Sequence, residues 1–197
     1  VAIQLQAIYM GFSTAISGVF LPKVTAMVTK ENNEKAISDL FIRTGRIQYI
    51  IIAFILTGFV VFGKSFIRLW AGSDYEDAYG ITLCFFIPMT VPLIQNLGII
   101  ILQARNQMKF RSTLYVVIAF VSLVISIPLS KQYGGIGCAI SIALALTTGQ
   151  IIVMNIYYHR VIHIDILDFW KEIGKMSLVP FAIGSLSFYL FCIYEIH

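Results

Sequence analysis

Apolar positions in this chain come in long unbroken runs, and polar positions are confined to short blocks between them. Six runs contain no Asp, Glu, Lys or Arg: residues 1–22, 47–63, 78–104, 112–130, 132–158 and 176–194. A helix crossing a hydrocarbon core of about 30 Å needs ~20 mostly apolar residues at ~1.5 Å each, with ~17 as the lower end. The pattern therefore predicts an all-α integral membrane protein, a single bundle of about six spanning helices. No run shows the strict alternation of a half-buried strand.

Two of the polar blocks carry apolar residues at helical spacing. In 162–173 these are Ile162, Ile166, Phe169, Trp170 and Ile173, with His163, Asp165, Asp168, Lys171, Glu172 and Lys175 around the remaining circumference. That is the pattern of a helix lying in the headgroup plane. Ile37, Leu40, Phe41 and Thr44 repeat it more weakly over 36–47. Ser73 and Glu76 have capping-box spacing and predict the start of the third helix.

The blocks separate by charge. Lys plus Arg number five in 23–46, two in 64–77, three in 105–111, one at Lys131 and three in 159–175, so alternate blocks sum to eleven against three. By the positive-inside rule the richer set is cytoplasmic, which places both ends of the chain outside. Trp70, Tyr75 and Tyr79, around the acidic "AGSDYEDAY", then form an outer aromatic belt. The chain opens on Val1 with no basic n-region or cleavage site, as expected of an internal piece of a longer protein.

Composition sharpens the class: 58% of the 197 residues are hydrophobic and 12% charged, about half the ~25% usual for soluble domains. The net charge of +4 reflects few acids rather than a basic tract, which excludes a nucleic-acid reader. Cys84, Cys138 and Cys192 are far apart within apolar runs and read as small buried hydrophobes, without a disulfide framework or a metal set. His159 and His163 have i, i+4 spacing, but nothing completes a zinc ligand set, and they read as interfacial side chains. Asp165 and Asp168 read as first-turn residues favoured by the helix dipole. No phosphate loop, dinucleotide fingerprint or nucleophile elbow occurs, so no enzyme activity, metal or cofactor is expected. Proton or sodium coupling usually rests on an intramembrane ionisable group, and the six runs hold no acid, base or histidine.

Two runs are unusual. Pro88 and Pro92 sit in the middle of the third, where each removes a backbone hydrogen bond, leaving the carbonyls of Cys84 and Pro88 without their helical donors. The bend serves either as ordinary membrane-helix irregularity or as a hinge lining a transport path. Gln95, Asn96 and Gln103 follow it. In the fifth run Gly137, Ser141, Ala145 and Gly149 recur every four residues and predict a close helix-packing face. Thr148 and Asn155 form a separate polar stripe.

Several segments resemble the polysaccharide repeat-unit flippases, the O-antigen and capsule translocases of the multidrug/oligosaccharidyl-lipid/polysaccharide exporter superfamily. They are "VFLPKVTAM" (19–27), "FIRTGRIQ" (41–48), "FGKSFIRLWAGSDYEDAY" (62–79), "IQNLGIIILQARNQMKFRS" (94–112), "KQYGGIGCAIS" (131–141) and "MNIYYHRVIHIDILDFWKE" (154–172). The resemblance implies most of the second bundle of a 12–14-helix transporter, truncated at both ends. It also implies alternating access for a polyprenyl-diphosphate-linked oligosaccharide in a bacterial cytoplasmic membrane, with membrane lipid and a polysaccharide polymerase and assembly proteins as partners. Arg43, Arg46 and Arg105, at cytoplasmic helix ends, are then candidate anion contacts, or else topology determinants. Gln48, Gln95, Asn96, Gln103 and Asn155 are candidate cavity-facing groups. The resemblance leaves three rivals open: a multidrug exporter, a peptidoglycan-precursor exporter of the same superfamily, and a membrane polysaccharide polymerase. The short, base-poor external blocks count against the polymerase.

Overall fold

The computed structural model describes residues 1–28 and 34–195, apart from the side chains of 181, 183 and 186–195, and all its regular structure there is helical. Lys30 of the basic block and the side chain of Cys192 lie outside the described part. In chain order the helices are α1 (Ala2–Ala26), α2 (Glu34–Ala71), α3 (Ala78–Ile94), α4 (Leu97–Ala104), α5 (Met108–Leu146), α6 (Met154–Arg160) and α7 (Ile166–Glu195). A π-helical segment, Thr147–Val153, joins α5 to α6. Three helical stretches are long and apolar enough to cross a membrane: Ala2–Ala26, Glu34–Ala71 and the continuous run Met108–Arg160. The bent pair α3 and α4 makes a fourth if taken as one broken span.

The run Met108–Arg160 is a hairpin. At Gly134 the backbone takes φ 59°, ψ −137°, a conformation essentially restricted to glycine, and the helix reverses. The contacts fix an antiparallel register: a Cβ on Gly137 would meet the Leu129 carbonyl, Gly149 lies against Ile118, and Phe110 stacks on Tyr157 at 4.0 Å. The turn predicted at Lys131 therefore lies three residues later, at the residue whose lack of a Cβ permits it.

Both stretches predicted to lie flat in the headgroup plane instead lead into long helices that pack on each other. α2 runs unbroken from Glu34 and α7 from Ile166. Their apolar stripes face each other: Phe41 and Phe169 pack at 5.1 Å, and Ile37, Leu40, Ile166 and Ile173 are buried beside them. Periodicity identified the faces; it carries no information on whether lipid or protein covers them. The capping box is absent too. Residues 73–75 form a single 3₁₀ turn, α3 starts without a side-chain cap, and Glu76 instead pairs with Lys64 and Arg68, both at 3.9 Å.

The structure gathers the basic blocks at one end of the bundle. Asp165 N–H donates to Ser38 Oγ at 3.0 Å, Arg105 donates to the Ile162 carbonyl at 3.3 Å, and Arg46 pairs with Glu172 at 3.4 Å. The α2–α3 connection and the Gly134 turn lie at the other end, where Gly135 approaches Ile81. Trp70 and Tyr75 are exposed there. Tyr79 leaves the expected belt: its hydroxyl donates to the Val60 carbonyl at 2.8 Å and its ring stacks on Phe59. Between the ends, α1, α2, the α3–α4 pair and the start of α7 enclose one core around Tyr9, Ile52, Phe86, Leu97 and Phe169.

Candidate functional site

The candidate site is the break between α3 and α4. Pro88 and Pro92 are both accommodated within α3, and the helix ends two residues after Pro92; α4 then departs at 47°. Gln95 at the junction has φ −101°, ψ 13°, close to the sparsely allowed bridge region. An internal helix end leaves carbonyls that need donors. One comes from α1, where Ser13 Oγ donates to the Leu93 carbonyl at 2.6 Å. Ser13 is in turn held by α2: Gln48 Nε2 donates to its carbonyl at 3.2 Å and to Ser17 Oγ at 2.6 Å. On the same seam Tyr9 and Thr90 share a hydrogen bond of 2.8 Å.

The other side of the break is held by the sixth and seventh helices. Gln95 Nε2 donates to Asn155 Oδ1 at 2.8 Å, and Trp170 Nε1 donates to the same oxygen at 3.1 Å. One amide on α6 thereby ties the α3–α4 junction to α7. Below it α4 lies directly on α6, since a Cβ on Gly98 would meet the Tyr158 ring and hydroxyl at 2.6 Å.

These contacts change the reading of the predicted cavity-facing groups. Gln48, Gln95 and Asn96 are buried between helices, and Gln48, Gln95 and Asn155 spend donors or acceptors on the break itself. They support the bent helix. Gln103 is exposed, and Arg105 is half-buried with its hydrogen bond to Ile162. Three buried polar atoms, Thr44 Oγ1, Gln48 Oε1 and Gln150 Nε2, have no partner among the described residues. Two of them lie one turn apart on α2. The third belongs to the π segment, a geometry that recurs at functional positions of membrane and soluble helices.

Arg111 was not singled out from sequence, where it reads as the last residue of a basic block. It is 6% exposed. Its guanidinium donates to Tyr115 Oη at 2.7 Å and to Tyr158 Oη at 3.5 Å, and lies 4.9 Å from the Tyr115 ring. A buried cation held by phenols and a π-face, with no ion pair among the described residues, differs from the solvated base that the sequence suggests. The only available signal was Tyr115 four residues on, one helical turn away.

Gly137, Ser141, Ala145 and Gly149 are all buried, and the two glycines at the ends of this stripe face the other arm of the hairpin. Cys84 and Cys138 are half-buried rather than fully enclosed. His163 lies beyond the end of α6 at φ 58°, so it does not share a helical face with His159. Among the described residues no three His, Cys, Asp or Glu side chains converge.

Arg43 and Arg46 are exposed and line one hollow of about 440 Å³ with Asp39. Arg46 reaches Glu172, whose carboxyl is held below its ordinary value by the Lys175 hydrogen bond and charge, with Arg46 adding to the effect. A carboxylate depressed in the folded state stabilises at pH values above its unfolded pKa, and that contribution fades as pH falls through the lowered folded value. The α2–α7 clasp should accordingly be intact at neutral pH and weaken as pH falls through the carboxylate range. In Glu172→Gln that acid-side step in the thermal unfolding midpoint should vanish; an unchanged step would assign it to another carboxylate.

A cavity of about 610 Å³ lies between α2, α3 and α7 and is lined by Leu56, Val60, Ile87, Val91 and Pro180 among others. Its polar groups are largely spent on each other or on backbone: Tyr49 Oη donates to Ser177 Oγ at 2.7 Å, and Thr90 to the Phe86 carbonyl at 2.8 Å. None of the predicted polar site residues lines it. No protein-family profile, curated protein or solved structure matches this chain.

Proposed function

We propose that the chain is part of a non-enzymatic membrane transporter that flips a polyprenyl-diphosphate-linked oligosaccharide repeat unit across a bacterial cytoplasmic membrane. The α3–α4 break carries the reading. A spanning helix interrupted in mid-course, bent by 47° and braced by hydroxyls from α1 and amides from α2 and α6, is the kind of element around which transporters rearrange. The segments that resemble repeat-unit flippases support the choice of cargo. The Gly134 hairpin and the gathering of the basic blocks at one end support six passes, with that end cytoplasmic.

The mostly apolar lining of the 610 Å³ cavity, with Tyr49, Thr90 and Ser177 bonded to one another or to backbone, offers sugars few hydrogen-bond partners. In this proposal the cargo's polar part is held between this bundle and a second one, with the cations at the basic end, Arg43, Arg46 and Arg105, meeting the diphosphate on the cytoplasmic side. The same lining favours, as a second reading, an exporter of apolar compounds.

Deleting the gene for the full-length protein separates the readings. Complete lipid-linked repeat units should accumulate on the cytoplasmic leaflet while surface polysaccharide is lost. Units that reach the outer leaflet unpolymerised would identify a polymerase, and unchanged polysaccharide with raised drug sensitivity would identify the exporter. Orientation is tested by impermeant thiol labelling in a background without native cysteines. Lys35→Cys should react only from the cytoplasm and Tyr75→Cys only from outside; the opposite pattern would reverse the topology.

A further inference from the structure

The side of the α3–α4 break that faces α1 and α2 gathers buried oxygen atoms. Gln48 Nε2 donates to Ser17 Oγ at 2.6 Å and to the Ser13 carbonyl at 3.2 Å, which holds the amide, and with it Oε1, in the seam between α1 and α2. Thr44 lies one helical turn back on the same side of α2. Both residues are 0% exposed, and neither Gln48 Oε1 nor Thr44 Oγ1 has a partner among the described residues. A buried acceptor left unmet is costly. Two on successive turns of one helix can be met by one shared partner.

The last carbonyls of α3 arrive from the other side. That of Leu93 accepts from Ser13 Oγ at 2.6 Å, and that of Ile94 comes so close to α2 that a Cβ on Gly45 would stand 3.0 Å from it. These carbonyls form the negative end of the α3 dipole, and the break interrupts their regular helical donors. The donors at hand, Gln48 Nε2 and Ser13 Oγ, are spent on the contacts just given. The seam is therefore rich in lone pairs and poor in protons. The nearest bases of α2 do not relieve it, since Arg43 and Arg46 are exposed and line the hollow beside Met176 of α7.

We infer that this seam is a Na⁺ site, with Thr44 Oγ1, Gln48 Oε1 and Ser17 Oγ as side-chain ligands and an α3 carbonyl completing the set. All of these are neutral oxygens. Ca²⁺ and Mg²⁺ sites are built on carboxylates, whereas a monovalent ion is held at broken helices by unwound carbonyls and half-helix C-terminal ends. The full enclosure of Thr44 and Gln48 suits the smaller alkali ion. Bound there, Na⁺ fastens α1 and α2 to the end of α3 and favours the bent helix through its tighter binding to that state. The inference rests on the packing of α1, α2 and α3 and holds for any cargo, so the deletion phenotype and the Na⁺ assay fail separately.

The test is Na⁺ binding by the purified full-length protein, read as equilibrium retention of radiolabelled Na⁺ and as the thermal midpoint in NaCl, KCl or choline chloride of equal ionic strength. NaCl should raise the midpoint by about 3 °C or more over choline chloride, as a ligand of the folded state does, and KCl by less than about half as much. Thr44→Val keeps the side-chain shape and removes only the unpartnered hydroxyl. It should weaken Na⁺ binding about tenfold or more, while its midpoint in choline chloride stays at or above that of the parent protein, because no hydrogen bond is lost. Thr44→Ser, which returns the oxygen, should recover the Na⁺ response. A midpoint no higher in NaCl than in choline chloride would assign the two oxygens to a water molecule and overturn the inference. An equal response to KCl, or a Na⁺ response that survives in Thr44→Val, would overturn it as well.

Discussion

Replacing Gly137 by leucine should destabilise the bundle by about 3 kcal/mol or more, at the upper end of overpacking costs, and should show as a large fall in thermal midpoint and in monodisperse yield of the full-length protein. The reason is the nature of the obstacle. A Cβ at this position points at the Leu129 carbonyl and Ser130 nitrogen of the opposing arm, and backbone cannot rotate aside as a side chain can. Only opening the hairpin relieves the clash. Gly149→Leu should cost less, about 1–2 kcal/mol, because it meets the end of the Ile118 side chain. Gly80, which faces open space within 4 Å, provides the control: Gly80→Leu should leave stability within about 0.5 kcal/mol, as expected at an unconstrained position. Equal behaviour of the three variants would remove the close-packed face.

The second large effect is expected on transport. Converting both Pro88 and Pro92 to alanine should lower repeat-unit export at least tenfold while expression stays near normal. A proline inside a helix costs ~3 kcal/mol or more through its missing N–H and its clash with the carbonyl four residues back, so alanine at both sites favours a straight helix through residues 95 and 96. Straightening withdraws Gln95 from Asn155 and the Leu93 carbonyl from Ser13, the two contacts that now hold the bent state. Pro92→Ala alone should account for most of the loss, since the helix ends only two residues beyond it. Full export in the double variant would leave the prolines with a structural role alone.

How far such features can be read from sequence depends on the kind of information they need. Spacing and charge located the apolar middles of the long helices but not their ends, which run on through charged residues: α2 begins at Glu34 and α7 at Ile166. The small-residue stripe at 137–149 was equally plain, since close approach leaves a four-residue period of its own. What covers a face was not legible. Ile166, Phe169 and Ile173 have the periodicity of an interfacial helix, yet they meet Phe41 of α2, and only the fold brings position 41 to position 169. The same holds for the amides. Gln48 and Gln95 read as free cavity groups until Ser17 and Asn155 arrive from other helices. Arg111 is the clearest case: its neighbour Tyr158 is 47 residues away across the hairpin, so a local reading places it with solvated bases.

α2 has a consequence of a mechanical kind. It is 38 residues long with no proline, or about 57 Å, nearly twice the thickness of a hydrocarbon core. It is fastened near its start by the Asp165 N–H at Ser38, a third of the way along by Glu172 at Arg46, and near its far end by Glu76 at Lys64 and Arg68. Such a rod transmits tilt without absorbing it, and a rotation of a few degrees at one end displaces the other by several ångströms. The joint of the bundle then lies where α3 meets α4, and α2 is the strut against which it works.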